Sequence, residues 1–445
     1  MVRHTPHRPG FSCIADLSRH RRVIGEAANE PHAQMGTRGR RMLGWSLVAA
    51  ALFAARLGGA QELGTAPFLP ESERVTVPFR LAAEGDVPPI DTGSRTEVVA
   101  AFHASYLPSE GVATGWNGNA STCVLGVNSA AHEQATLRRV NYFRAMAGLP
   151  GVVGLDEIRS DKCVKAAMMM SAQGQLSHAP GISWACYSAD GAEAAGKSNI
   201  ALGAEGPSAV DLYMDDHGPG NHFVGHRRWI LYPPQQVMGT GSVPTHSGKA
   251  AANALWVLAN FGPRPSGPEF IAWPPPGYFP HQLLPKLSTR WSFSLPNADF
   301  GPATVSVSRN GQALTTAVQS RSDAGFGDNT FVWTVAGVPS LAPAADTDYV
   351  VSITHVSVGG QTRSFTYTVT VIDPFQPNLD LRQTGGQLTL AWPTGPAGFL
   401  VQTGAFNGTS ISWGTAGYSP TASGSERRVT LTPSEAIQLF RLRRP

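Results

Sequence analysis

The spacing of hydrophobic and polar positions divides the chain into a helical part and a strand-rich part. In the first part, apolar residues recur every three or four positions, which predicts amphipathic helices. The segments with this spacing are 97–106, 130–147, 161–173 and 208–216. Gly148 and Gly174 follow two of them and are typical helix stops. The apolar run 253–260 predicts a buried strand, so the pattern favours an α+β domain over residues 95–262.

In the later part, hydrophobic and polar residues alternate, as they do in half-buried strands. The clearest alternating segments are 304–308, 330–335, 349–353 and 365–371. They predict an immunoglobulin-like or fibronectin-like β-sandwich over 286–373. Shorter segments at 388–392 and 399–402 predict a small β module over 374–445. Neither module clusters histidines, cysteines or carboxylates, so we interpret both as spacers or adhesion modules, with glycan binding at Trp392 or Trp413 as an alternative.

Two stretches lack a sustained period and are predicted to be linkers. Residues 61–94 carry scattered proline, glycine and acidic residues, which favours an extended segment. Residues 263–285 are rich in proline, which favours a stiff spacer between the α+β domain and the β-sandwich.

An apolar run near the N-terminus predicts export. Residues 42–55 follow a cluster of arginines and precede the small residues Gly58 and Ala60, which is the pattern of a signal peptide over 42–60. Residues 1–41 are interpreted as a leader, with Met35 or Met42 as the alternative start of translation. Because the run is short for a membrane span, we expect a secreted or cell-envelope protein, with a retained membrane anchor as the alternative.

Composition narrows the class further. A chain of 445 residues is long enough for two to four domains, and 42% hydrophobic residues favour globular structure. A formal charge of +3, with arginines gathered at both ends, gives no basic patch for nucleic acid, so we expect no nucleic-acid partner.

Three cysteines follow the predicted cleavage site, in a compartment where disulfides persist. They are Cys123, Cys163 and Cys186. Because Cys163 and Cys186 are close in sequence, we predict that they form the disulfide and that Cys123 is free or unassigned.

Several catalytic patterns are absent or out of context. Residues 191–198 fit the phosphate-loop pattern, but no strand precedes them and glycines break the helix that should follow. His132-Glu133 lacks the second metalloprotease histidine, because position 136 is Thr136, and the chain has no Gly-x-Ser-x-Gly nucleophile elbow.

Four short motifs carry a family resemblance. They are Leu176-Ser177-His178, the segment 197–203, Tyr213-Met214-Asp215-Asp216 and the segment 224–231. Their order and spacing resemble the CAP superfamily, which includes cysteine-rich secretory proteins, antigen 5 and plant pathogenesis-related proteins. Asn141-Tyr142-Phe143-Arg144 and Met238-Gly239-Thr240-Gly241 are also similar to that family. The resemblance covers residues 95–262 and implies a CAP-like α-β-α sandwich with a conical cleft lined by two histidines and two acidic residues.

The resemblance assigns candidate site residues. It implies that His178 and His226 are the two histidines and that Asp216 is one acidic residue. At the second acidic position this chain has Ser198, so the usual carboxylate is missing, and Glu193 or a water molecule would have to complete the site. Two imidazoles and a carboxylate are suitable zinc ligands, so His178, His226 and Asp216 are the predicted Zn²⁺ ligands.

These observations leave three hypotheses open. The first is a secreted, bacterial-type binding or scaffold protein whose cleft holds a divalent metal or an extracellular lipid, sterol, peptide or glycan ligand. The second is a hydrolase, such as a peptidase, in which His178 or His226 is the general base, Asp216 orients it, and Ser198 or a metal-bound water attacks. The third is an adhesion or envelope-structure protein with a vestigial cleft.

Overall fold

The computed structural model describes residues 61–77, 88–151, 153–321, 324–406, 410–415, 417–432 and 439–443. The predicted leader and signal peptide, residues 1–60, lie outside the described residues. In the part of the chain that is described, no helix has both the length and the apolar character needed to cross a membrane.

The first domain combines six α-helices with five strands among the described residues. The helices are α1 (Arg95–Ala101), α2 (Ala130–Met146), α3 (Glu157–Gln173), α4 (Ala189–Lys197), α5 (Gly206–Asp215) and α6 (Gly225–Ile230). The strands are β1 (Glu62–Leu63), β2 (Gly154–Leu155), β3 (Ser198–Leu202), β4 (Val237–Val243) and β5 (Ala252–Trp256). They form one sheet in the order β1-β3-β5-β4-β2, antiparallel except where β2 runs parallel to β4. The prediction of an α+β domain is confirmed.

Helices cover both faces of this sheet. On one face, α3 and α4 bury small and sulfur-containing side chains such as Ala166 and Met170 against β5. On the other face, α2 and α5 pack Val140 and Tyr213 against Leu255. Close approach of α3 requires glycine in β4, because a Cβ at Gly241 would lie 2.0 Å from the nitrogen of Val164. The layers are therefore helix, sheet and helix.

Helix ends follow local capping chemistry. Asp156 accepts a hydrogen bond from the Arg159 amide, so α3 begins four residues before the predicted start at Asp161. It ends where predicted, because Gly174 adopts the left-handed conformation with φ 70°. Residues 191–198 lie in α4 and the first position of β3, in agreement with the rejection of a phosphate loop.

Two sheets form the β-sandwich, antiparallel except where β7 runs parallel to β15. Its strands are β6 (Ile271–Trp273), β7 (Gly277–Pro280), β8 (Arg290–Ser294), β9 (Ala298–Asp299), β10 (Thr304–Arg309), β11 (Gln312–Leu314), β12 (Thr316–Ser320), β13 (Thr330–Val335), β14 (Thr347–Val358) and β15 (Gln361–Ile372). One sheet has the order β11-β10-β14-β15-β7, with β9 beside β14, and the other has the order β12-β13-β8-β6. Trp291, Phe293 and Trp333 are buried between them.

The C-terminal module is a smaller pair of sheets. Its strands are β16 (Asp380–Thr384), β17 (Gln387–Pro393), β18 (Leu400–Phe406), β19 (Ile411–Thr415), β20 (Thr421–Ser423), β21 (Glu426–Leu431) and β22 (Leu439–Arg443). The sheet orders are β16-β17-β21-β20 and β19-β18-β22. Trp392 is buried in the core of this module, so it is not available as a glycan-stacking surface.

Both predicted linkers take part in the fold. Residues 263–285 do not form a spacer, because β6 pairs with β8 and β7 pairs in parallel with β15. Most of the prolines flank these strands and Pro280 ends β7, whereas Trp273 and Phe279 are fully buried. Residues 61–77 also pack on the first domain, through β1 and through a bridge from Thr76 to Phe261.

The predicted disulfide is wrong. Cys186 is bonded to Cys123, across a sequence separation of 63 residues. Cys163 keeps a free thiol inside α3, where burial raises its pKa to about 12. Closeness in sequence misled the prediction, because the side chain of Cys163 faces the sheet whereas Cys186 lies in the loop before α4.

Candidate functional site

A buried imidazole and carboxylate form the centre of the candidate site. The chain leaves α5 at Asp216, which takes the left-handed conformation with φ 57° and is fully buried. His226 Nδ1 donates a hydrogen bond to Asp216 Oδ1 at 2.7 Å, and the Arg227 amide donates to Asp216 Oδ2 at 3.1 Å. In the neutral imidazole, a proton on Nδ1 leaves a lone pair on Nε2. That Nε2 atom is buried and has no hydrogen-bond partner among the described residues.

His178 lies in the loop after α3. Its Nδ1 is 2.6 Å from the Ala195 carbonyl oxygen, and its Nε2 is 2.5 Å from the Thr65 carbonyl oxygen. Both partners are acceptors, so both bonds form together only in the imidazolium. Overall the pKa of His178 is lowered, mainly because the ring is buried. The two carbonyls oppose this by raising the pKa, and the charge of His226 lowers it further. The residue after Thr65, Ala66, packs against Gly225, the neighbour of His226, so one short segment of chain contacts the surroundings of both histidines. We call the region formed by His178, Asn221, Gly225, His226 and Trp229 the histidine groove.

Successive side chains of strand β3 point to opposite faces of the sheet. Asn199 points toward the histidine groove, where its Nδ2 donates to the His226 carbonyl oxygen at 3.1 Å. Ser198 is its neighbour and therefore points to the opposite face. There its hydroxyl lies 3.8 Å from the Cys163 sulfur, and it makes no hydrogen bond to either histidine. The proposed serine nucleophile is therefore wrong.

The three predicted zinc ligands do not converge on one point. Asp216 Oδ1 lies at the Nδ1 side of the His226 ring, so it faces away from the position that Nε2 could ligate. Asp216 instead has the geometry of a carboxylate that orients a ligand histidine. Glu193 is also excluded from completing the site, because it pairs with Lys162 and Lys197 on the surface. Within the described residues, no three His, Cys, Asp or Glu side chains are grouped as a metal site.

The β-sandwich supports the site directly. Arg290 of β8 donates to the carbonyl oxygens of Asp216, Gly218 and Asn221 at 2.6, 2.8 and 3.0 Å. Arg227 is buried and donates to the Ser292 hydroxyl and the Arg290 carbonyl oxygen, both at 3.0 Å. The loop that holds Asp216 is therefore fixed from outside its own domain, a role that sequence reasoning missed.

Asp215 makes a second connection. Its carboxylate accepts hydrogen bonds from the backbone amides of Lys286, Leu287 and Ser288 at 2.7 to 2.9 Å. No sequence pattern marks this contact, because the donors are backbone atoms of residues about seventy positions away.

Asn141 and Arg144, from a segment that resembles the CAP family, hold the backbone around the groove. Asn141 exchanges two hydrogen bonds with the backbone of Val153. Arg144 is fully buried and donates to the carbonyl oxygens of Ile230, Tyr232 and Pro233, which fixes the chain just after α6. Both residues are structural, since neither side chain reaches a histidine.

Comparison with known proteins gives one match. Residues 137–261 match the model of the cysteine-rich secretory protein family, CAP. No curated protein matches the chain. The matched stretch runs from α2 to just beyond β5 and includes His178, Asp216 and His226. The chain therefore carries a CAP domain of the cysteine-rich secretory protein family, and the histidine groove lies within it.

Proposed function

We propose that this is an exported binding or scaffold protein whose CAP domain holds a divalent metal or an extracellular ligand in the histidine groove. The observation that carries the proposal is the buried, unpartnered Nε2 of His226, held in a fixed orientation by Asp216. A buried polar atom without a partner costs about 1–3 kcal/mol, so a ligand at this position would remove that cost. Export is supported by the Cys123–Cys186 disulfide, because disulfides persist in oxidising compartments.

Zinc is the metal that the donor chemistry favours. His178 and His226 would each supply an imidazole nitrogen, and Asp216 would orient His226 rather than bind the ion. A bound zinc ion would supply a Lewis acid in the groove. Among the described residues only these two histidines are placed as protein ligands, so we expect weaker binding than at a site with three or four protein ligands.

Calorimetric titration with zinc tests the proposal. We expect saturable binding to the full-length protein and its loss in the His178→Ala/His226→Ala double variant. His222→Ala is the matched control, because His222 is exposed beside the groove and should leave binding unchanged. Absence of saturable binding, or equal binding in the double variant, would refute the metal proposal.

A hydrolase is the second candidate, because the His226–Asp216 pair has the geometry of a general base and its orienting carboxylate. Without Ser198, the nucleophile would be water activated by His226. Asp216→Asn would then lower the hydrolytic rate by about 10²-fold or more, while ligand binding in the groove would persist. A wild-type protein that turns over no peptide or ester substrate would remove this candidate.

A further inference from the structure

The segment Gln61–Pro67 crosses the histidine groove in an extended conformation. Its first part is β1, which pairs antiparallel with β3 through Glu62 opposite Leu202 and Leu63 opposite Ala201. The pairing continues where the Gly64 amide donates to the Ile200 carbonyl oxygen at 3.2 Å. The segment is therefore an added edge strand of the CAP sheet, which is a common way for proteins to bind peptides.

Beyond β1, side chains of the CAP domain bind the backbone carbonyls of this segment. Asn221 Nδ2 donates to the Gly64 oxygen at 2.9 Å, and Trp229 Nε1 donates to the Pro67 oxygen at 2.7 Å. His178 Nε2 contacts the Thr65 oxygen between them. These donors come from the loop after α3, from the turn before α6 and from α6 itself. Contacts of this kind recognise an extended backbone whatever its side chains.

Side-chain size is restricted at two positions of the segment. A Cβ at Gly64 would lie 2.8 Å from Ile200 Cγ1, so the strand approaches β3 only with glycine there. Ala66 is 4% exposed, and it packs against Gly225, where a Cβ would lie 2.6 Å from the Ala66 Cβ. Thr65, between them, is exposed. The groove therefore fits a Gly-x-Ala-Pro sequence with a free choice at x.

We propose that the histidine groove is a binding site for extended peptides of the Gly-x-Ala-Pro type, and that residues 61–67 are its resident intramolecular occupant. This inference deepens the proposed function, since the peptide occupies the same groove. A tethered segment has an effective concentration of the order of millimolar, so an external peptide binds only weakly while the resident is in place. Ligands that need Nε2 of His178 must likewise displace the Thr65 carbonyl.

Cutting the tether converts the resident into an exchangeable ligand. Residues Glu71, Ser72 and Glu73 form an exposed turn, so a specific protease site inserted there can be cut after the full-length protein has folded. We expect the fragment before the cut to remain bound during gel filtration. It should exchange with a fluorescent nonapeptide of the sequence of residues 61–69, measured as saturable fluorescence anisotropy.

Matched peptides and groove variants test the specificity. A peptide with Ala66→Asp should bind at least tenfold more weakly, whereas one with Thr65→Asp should bind within about twofold of the parent. In the protein, Asn221→Ala should weaken binding about tenfold, since it removes a buried donor, and His222→Ala should not. The proposal is overturned if the cut protein binds no nonapeptide, or if the Ala66→Asp peptide binds as well as the parent.

If the cut protein unfolds, hydrogen exchange on the uncut protein tests the proposal instead. The Gly64 amide should be protected in the wild type and exchange about tenfold faster in Asn221→Ala, while an unprotected Gly64 amide in the wild type overturns the proposal.

Zinc titration separates the two proposals. Zinc binding without peptide exchange refutes this inference alone, and peptide exchange without zinc binding refutes only the metal part of the proposed function.

Discussion

Arg290 is the residue through which the β-sandwich should most strongly affect the CAP domain. It begins β8, its side chain is 9% exposed, and its guanidinium donates to three backbone carbonyls of the loop 216–221. Arg290→Met keeps the aliphatic length and removes all three donors. The three carbonyls would then lose their partner in a buried position.

The expected loss of stability follows from these contacts. A hydrogen bond to a charged group contributes about 1.5–3 kcal/mol, so three such bonds set an upper limit near 9 kcal/mol. Burial lowers the pKa of Arg290, which shows that the guanidinium itself is costly to desolvate, and methionine avoids that cost. We therefore expect the free energy of unfolding to fall by about 3 kcal/mol.

Urea unfolding, followed by tryptophan fluorescence, measures this change. Arg309→Met is the matched control, because Arg309 lies in the same β-sandwich and donates to one exposed carbonyl, that of Gly337. Its effect should stay below about 1 kcal/mol. An Arg290→Met protein within 0.5 kcal/mol of the wild type would refute the view that the sandwich holds the loop.

Three further predictions concern the CAP domain. Cys186→Ser should lower the free energy of unfolding by about 4 kcal/mol, because the bond to Cys123 closes a long loop. Urea unfolding of wild type and variant, each with and without reductant, checks this, since reductant should destabilise only the wild type. Burial and two acidic side chains of α3 raise the pKa of Glu133 from 4.5 to about 7, so stability is lost as pH rises through this range. Glu133→Gln should therefore stabilise the protein by about 2 kcal/mol at pH 8 and much less at pH 5; an equal gain at both pH values would contradict this cause. Gly241→Ala should lower the unfolding free energy by about 3 kcal/mol, because its Cβ would lie 2.0 Å from a backbone nitrogen of α3, whereas Gly414→Ala, with open space around it, should change the melting temperature little.

The regular elements of the fold could be predicted because burial leaves a period in the sequence. Helix α2 was predicted over 130–147 and ends at Met146, and β13 occupies the predicted residues 330–335. In both cases the apolar residues that enter the core recur with the period of the element, as Phe331, Trp333 and Val335 do in β13, so their spacing reports the structure. Segments that are buried through long-range pairing leave no such signal.

The predicted linkers show where this reasoning fails. Residues 263–285 have a high proline content, which is typical of a spacer, but a strand can lie between prolines when its few apolar residues enter a core built elsewhere. The segment 61–67 has no hydrophobic period at all. Its backbone carbonyls make most of its contacts, and carbonyls are the same in every residue, so the sequence contains no mark of them.

The sequence predicted which residues form the candidate site better than it predicted what each of them does. The resemblance placed His226 and Asp216 in one cleft, and the structure brings them to 2.7 Å. It could not tell that Asp216 orients His226 instead of pointing at a shared ligand, because that depends on which ring nitrogen the carboxylate meets. Strand alternation could have separated Ser198 from the groove, since Ser198 and its neighbour Asn199 point to opposite faces of the sheet.

The groove depends on three parts of the chain that the sequence keeps apart. The segment before residue 68 fills it, the CAP domain supplies His178 and His226, and the β-sandwich fixes the loop that carries Asp216. The family match ends at residue 261, before Arg290 and Ser292, which are the partners of the buried Arg227. A fragment cut at that boundary would lose these acceptors and would expose the Arg227 guanidinium to water. The β-sandwich is therefore part of the structural unit that forms the groove. Functional studies need a protein that contains the CAP domain together with the β-sandwich.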